Sequence, residues 1–193
     1  MPKSPHLKER ILKIAGEKFL RQGFYKVSVD SLVAELRTSK SSIYKYFSSK
    51  EDLVATLIEQ LNGVINRQIE QIVHHAELGF EDKLLHLMRL TSKLKRLVGP
   101  QFLEDLRIHT PELWEEYQQQ ETDRIQRYYY ALFRQGIREG LIRNDIDLQL
   151  IVGAYLQFTE LSLNQNALQG LPYHEEQIFE HLTTLFLEGG LGQ

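Results

Sequence analysis

An all-α fold is predicted for this 193-residue chain by three features of its sequence. Apolar residues recur every three or four positions in almost every segment, the period of a helix with one buried face. Helix starters (Ser, Thr or Asp) precede these segments and Gly or Gly-Pro follows them, which cuts the chain into pieces of helix length. No stretch shows the alternation of a β-strand, and there is no internal repeat. The expected architecture is an N-terminal three-helix head, residues 6–60, followed by a C-terminal helical bundle, residues 61–193, with about nine helices in total.

The first five residues contain two prolines and read as a loose arm. From His6 to Gln22, Leu7, Ile11, Ala15 and Phe19 recur at spacing four, with Leu12 and Ile14 beside them and Lys8, Arg10, Lys13, Lys18 and Arg21 off that face. Gly23 stands where a C-cap glycine belongs. Phe24 and Val27 lead to Ser28, an N-cap for a short helix to Leu36 with Asp30 near its positive end. Val29, Leu32, Val33 and Leu36 face inward on it. Residues 37–39 (Arg-Thr-Ser) are polar and few enough for a turn. Ser39 then caps a second short helix, Lys40 to Phe47, which turns Ile43 and Phe47 inward and leaves Lys40, Ser41, Ser42, Tyr44 and Lys45 outside.

Ser48 or Ser49, followed by Glu51 or Asp52, forms a capping box. It opens a long helix along Leu53, Leu57, Leu61, Val64, Ile65, Gln68 and Ile72 to about His75, roughly 37 Å at 1.5 Å per residue. His74 and His75 are adjacent, diverge on a helix and make a poor metal pair. Leu78-Gly79 ends the rod. Residues 81–98 give a further helix before Gly99-Pro100, and residues 101–109 a shorter amphipathic piece. Thr110-Pro111 is a start signal, with proline at the first helical position. The helix it opens runs to about Glu139, with Leu113, Trp114, Tyr117, Ile125, Tyr128 and Leu132 inside. Asp145 or Asp147 caps the next helix, which extends to about Leu168, and a final helix covers Tyr173 to Leu187.

Charge is divided unevenly along the chain. Residues 1–50 hold eleven Lys and Arg against four Asp and Glu, a balance of +7, within a chain whose net charge is −3. A basic head on an acidic body points to a polyanionic partner for the head alone. There is no cysteine, which excludes disulfides and thiolate metal sites. The start MPKSPHLKER lacks the apolar run of a secretory signal, and no run of about 18 apolar residues exists to span a membrane. A cytoplasmic location is expected. No Gly-rich phosphate loop, H-E-x-x-H pattern or assignable carboxylate pair is present, so no catalytic residues, no cofactor and no metal site are expected.

The segment Ser28–Lys50 carries the chemistry. Two short helices joined by three residues form a helix-turn-helix, and the major groove of DNA admits one such helix with its N-terminal residues at the base edges. Lys40 can donate to guanine acceptors, while Ser41 and Ser42 can donate or accept. Tyr44 and Tyr46 carry hydroxyls on rigid arms suited to phosphate or a thymine methyl, and Lys45 adds a cation. Lys50, at the start of the next helix, suits phosphate. The alternative that the pattern leaves open is a plain helical hairpin with tyrosines in its core and solvated lysines outside.

The run SVDSLVAELRTSKSSIYKYFSSKEDL resembles the DNA-binding signature of TetR-type transcriptional regulators, with Ser28, Asp30, Ser39, Lys40, Tyr44, Tyr46, Phe47, Ser49, Lys50, Glu51 and Leu53 at matching positions. The match covers about residues 6–60. One departure is Arg37, where the family usually places glycine; a positive φ there would cost a non-glycine residue roughly 1 kcal/mol. Arg37 is therefore a candidate phosphate contact or a solvated arginine. The resemblance implies a homodimer on a palindromic double-stranded operator, repression as the commoner mode, and an unidentified small-molecule effector bound in the C-terminal domain.

Two stretches of the body bear on these implications. Between Leu148 and Leu168 the only charged residue is Glu160, so that helix has two apolar sides, one for its own core and one for a partner copy. Leu161, with Phe179, Leu182 and Phe186 of the last helix, are the candidate interface residues; a helix central to a monomeric bundle is the other reading. Phe102, His109, Trp114, Tyr117, Tyr128, Tyr155 and Phe158 are candidates to line a pocket for a mostly apolar effector. The same aromatic residues at helical spacing also suit plain core.

Overall fold

The computed structural model describes residues 5–162, together with Gln177, His181 and Thr184. All regular structure among the described residues is helical: α1 (Pro5–Gln22), α2 (Val29–Leu36), α3 (Lys40–Tyr44), α4 (Lys50–Val73), α5 (Phe80–Leu97), α6 (Pro100–His109), α7 (Pro111–Arg124), a π-helical turn (Ile125–Tyr129), α8 (Tyr130–Arg138) and α9 (Leu148–Ser162). Residues 124 and 130 keep right-handed helical backbone on either side of the π turn. None of the described helices is long and apolar enough to cross a membrane.

The chain divides into two compact units, Met1–Ile65 with Arg96–Gln120, and Asn66–Lys95 with Glu121–Gln193. The boundary expected near residue 60 lies inside α4, which is unbroken, and the unit that holds the head also takes in residues 96–120.

The core of the first unit collects Ile11, Ala15 and Phe19 of α1, Leu32 and Leu36 of α2, Ile43 of α3, Leu53, Val54 and Leu57 of α4, and Phe102 and Leu106 of α6. Each Val, Leu, Ile or Phe side chain taken out of water contributes about 1.5–3 kcal/mol. Phe24 sits at the centre, edge-on to Phe19 at 6.2 Å and to Phe102 at 6.0 Å. The α4 cap forms as expected from Ser49, whose hydroxyl accepts the Asp52 N–H at 3.0 Å, while Asp52 reaches back to the N–H of Ser48 rather than of Ser49. Thr110 behaves differently from its expected role. Its hydroxyl donates to the Leu106 carbonyl at 3.2 Å and closes the end of α6, so Pro111 opens α7 with the Thr110 side chain turned backwards.

In the second unit Phe80, Leu84, Leu87 and Met88 of α5, Leu132 and Phe133 of α8 and Tyr155 of α9 are buried, and the Phe133 ring lies edge-on to Phe80 at 5.7 Å and to Tyr155 at 5.3 Å. The Tyr155 hydroxyl donates to the Leu84 carbonyl at 3.0 Å. Burial raises the Tyr129 phenol above its ordinary value, against a hydrogen bond with Thr91. The π turn inserts one residue into the helical register, and adjacent Tyr128 and Tyr129 both become buried. Arg124, just before the turn, is buried with its guanidinium on Glu121 and on the Asn66 side-chain oxygen. Asp147 caps α9 by accepting the N–H groups of Gln149 and Leu150.

Candidate nucleic-acid interface

The helix-turn-helix is built by local caps and one strained residue. Ser28 accepts the Ser31 N–H on its hydroxyl at 3.1 Å and starts α2. Arg37 ends it with φ 50° and ψ 51°, in the left-handed region, where its N–H and that of Thr38 reach back to the Ala34 and Val33 carbonyls. This is the double closure that usually recruits glycine. Arg37 is the one non-glycine residue with positive φ among the described residues, so the departure noted in the sequence falls on the backbone conformation that glycine would relieve. The Arg10 guanidinium, from α1, donates to the Leu36 carbonyl at 3.3 Å and satisfies another exposed end of α2.

Ser39 then caps α3. Its hydroxyl accepts the Ser42 N–H at 3.1 Å and exchanges hydrogen bonds with the hydroxyls of Ser41 and Ser42. The α-helical part of α3 is shorter than the expected Lys40–Phe47. It ends at Tyr44, and residues 45 and 46 continue as a tighter turn, with the Tyr46 N–H on the Ile43 carbonyl at 2.9 Å. Ile43 and Phe47 are buried beneath it. Lys40, Ser41, Tyr44 and Lys45 are exposed and Ser42 is half-buried. The two tyrosines separate: Tyr44 is 47% exposed, whereas Tyr46 is half-buried against the core of the first unit.

Two of the lysines have partners that sequence spacing did not show. The Lys40 ammonium lies 2.9 Å from the Asp30 carboxylate, with both side chains exposed. That hydrogen bond, then the charge behind it, holds Lys40 above its ordinary value. Such an exposed pair exchanges readily for another acceptor. The Lys50 ammonium donates to the Tyr25 carbonyl at 2.9 Å and sits over the rings of Phe24 and Tyr25 at 5.8 and 5.9 Å. Partial burial lowers its pKa. Lys50 thus has a structural partner of its own within the head.

Of the residues considered for an effector pocket, Phe102, His109, Trp114 and Tyr117 fall in the first unit. Phe102 is core, Trp114 stacks on Tyr117 at 5.7 Å, and His109 stacks on Tyr25 at 3.6 Å. Tyr128 and Tyr155 are buried in the second unit. The side chain of Phe158 lies outside the described residues, as do those of Leu161, Phe179, Leu182 and Phe186. The sequence reading passed over Tyr25 and Asp105. Asp105 carried a signal, an acidic residue on the apolar stripe of α6 between Phe102 and Leu106.

Residues 11–57 match the family model of bacterial regulatory proteins, tetR family. The chain is 30% identical over 140 residues to the HTH-type transcriptional repressor SCO4008 of Streptomyces coelicolor, a match that spans 72% of this chain and 67% of that protein. Its fold is similar to that of a TetR-family transcriptional regulator from Cytophaga hutchinsonii, with TM-score 0.73 at 16% identity over 100% of this chain and 98% of the other. It is also similar to the transcriptional regulator FadR from Bacillus subtilis, solved in complex with stearoyl-CoA, with TM-score 0.70 at 16% identity over 94% and 98% of the two chains.

Proposed function

Because the chain belongs to the TetR family of bacterial DNA-binding transcriptional regulators, we propose that it acts as a homodimeric repressor on a palindromic operator and is released by a small, mostly apolar effector. The observation that carries the DNA part is the outer face of α3, where Lys40, Ser41, Tyr44 and Lys45 stand exposed over buried Ile43 and Phe47. Those side chains match the groups that base edges and phosphates accept. Within this reading Ser28 and Ser39 shape the helices by capping, Lys40 and Ser42 read bases, and Tyr44, Lys45 and Arg37 meet phosphate. Lys50 contributes through Tyr25 as well as through its charge.

A dimer is supported by the described part of α9, which buries Ile151, Val152 and Tyr155 while leaving Leu150 66% exposed. Two heads then present two copies of α3 to half-sites about one turn of DNA apart. The effector reading draws support from FadR, solved in complex with stearoyl-CoA, and from the aromatic content of the body.

Fluorescence anisotropy with the DNA upstream of the protein's own gene, titrated across salt, tests the reading. Specific binding with a steep salt slope is expected, since each neutralised phosphate contributes roughly −0.9 to the slope. Long-chain acyl thioesters added to the complex should release the DNA. Equal, weak affinity for operator and scrambled DNA at every salt concentration would sink the proposal.

A further inference from the structure

We propose that Asp105, on α6 and far outside the segment matched to the family, is a positioning residue for the DNA-reading head; this rests on the DNA-binding reading above. The loop between α1 and α2 must deliver Ser28, the cap of α2, and Tyr25 is the residue of that loop held from two sides. Its N–H donates to the Asp105 carboxylate at 2.7 Å, and its carbonyl accepts the Lys50 ammonium at 2.9 Å. Its ring lies flat on His109, 7° from parallel, at the end of the same helix α6.

The carboxylate itself is well fixed. Asp105 is 4% exposed and its second oxygen accepts the Gln101 amide N–H at 2.9 Å. Gly23, with φ +83°, passes so close that a Cβ there would meet the carboxylate oxygen at 2.4 Å. At the start of the same helix, the Gly99 N–H donates to the Leu20 carbonyl at 2.7 Å, and a Cβ on Gly99 would meet that oxygen at 2.8 Å. Helix α6 is therefore joined to the end of α1 and its loop at Gly99, Asp105 and His109. A buried carboxylate in such a place does more than fill space. It accepts the Tyr25 N–H of the loop and so sets where the chain enters α2.

The test uses the full chain and a DNA ligand that the wild-type protein selects from a random-sequence pool. Asp105→Ala is expected to speed hydrogen exchange of the Tyr25 amide about tenfold relative to that of Val27, and to weaken binding to the selected DNA by about tenfold. Asp105→Asn keeps one oxygen to accept the Tyr25 N–H and should restore most of both. Leu57→Ala, which opens a cavity against Gly16 of α1, lowers stability in the same unit and should leave the Tyr25 to Val27 ratio unchanged. If Asp105→Ala does not fold, Gln101→Met must still raise that ratio. An unchanged ratio in Asp105→Ala and Gln101→Met, a raised ratio in Leu57→Ala, or no rescue by asparagine overturns the proposal. If the wild-type protein enriches no DNA sequence, the DNA-binding reading falls separately, and the exchange ratio still decides the role of Asp105.

Discussion

Arg37 shows how much one residue can reveal when its backbone is known. The sequence places an arginine where the resemblance to the family implies glycine, and the structure gives it φ 50°. Arg37→Gly is therefore expected to stabilise the protein by about 0.5–1 kcal/mol, the left-handed penalty less the extra entropy of an unfolded glycine. Urea unfolding measures this directly; a loss of stability would mean that the guanidinium makes a contact worth more than the strain. Lys40 and Lys50 differ in kind. Lys40→Ala should change the ranking of operator variants, whereas Lys50→Ala should weaken all of them alike, because it frees the Tyr25 carbonyl as well as removing a charge. A panel of single-base operator mutants separates the two outcomes. Asp30 adds a third test. Freeing Lys40 by Asp30→Asn should raise affinity for non-specific DNA and steepen its salt slope by about one, and an unaltered slope would show that the pair does not restrain Lys40.

Most of the described helices were legible in the sequence to within a residue or two, since their period and caps depend on neighbours a few positions apart. The bounds of α1, α5 and α6 each lie within a residue or so of those expected. What periodicity missed was local geometry governed by more distant packing. The π turn of residues 125–129 adds one residue to the register, too little to disturb a three-to-four spacing. Thr110 lies between the carbonyl end of α6 and the N–H end of α7, and its hydroxyl donates to the first rather than accepting from the second. Gly136 illustrates the same conflict with a measurable sign. Replacing a helical glycine by alanine stabilises an exposed helix by about 1 kcal/mol. Here the new Cβ would meet the Phe80 ring at 2.8 Å, and the ring is held by Phe133. Gly136→Ala is expected to destabilise by about 1–3 kcal/mol, the usual cost of overpacking. A higher thermal midpoint for this variant would show that Phe80 yields.

For the whole molecule, the proposed dimer makes one strong demand. A single α3 offers a short reading surface, and useful affinity needs two of them. Leu161→Glu or Phe186→Glu should yield monomers that no longer hold the operator, whereas Leu150→Glu tests the described part of α9 in the same way. Sedimentation of the three variants decides it; dimers intact in all three would remove α9 and the last helix from the interface. The sequence by itself determined the all-helical class, the caps and turn of the head and the side chains on the outer face of α3. All of these follow from interactions between residues close in the chain. Only the tertiary structure decided that Phe102 belongs to the core of the head, that Lys50 turns to Tyr25, and that Asp105 takes the Tyr25 N–H across 80 positions. No period or spacing encodes a contact of that range. It exists because two glycines let α6 approach the end of α1 closely enough for a carboxylate to replace water at one backbone N–H.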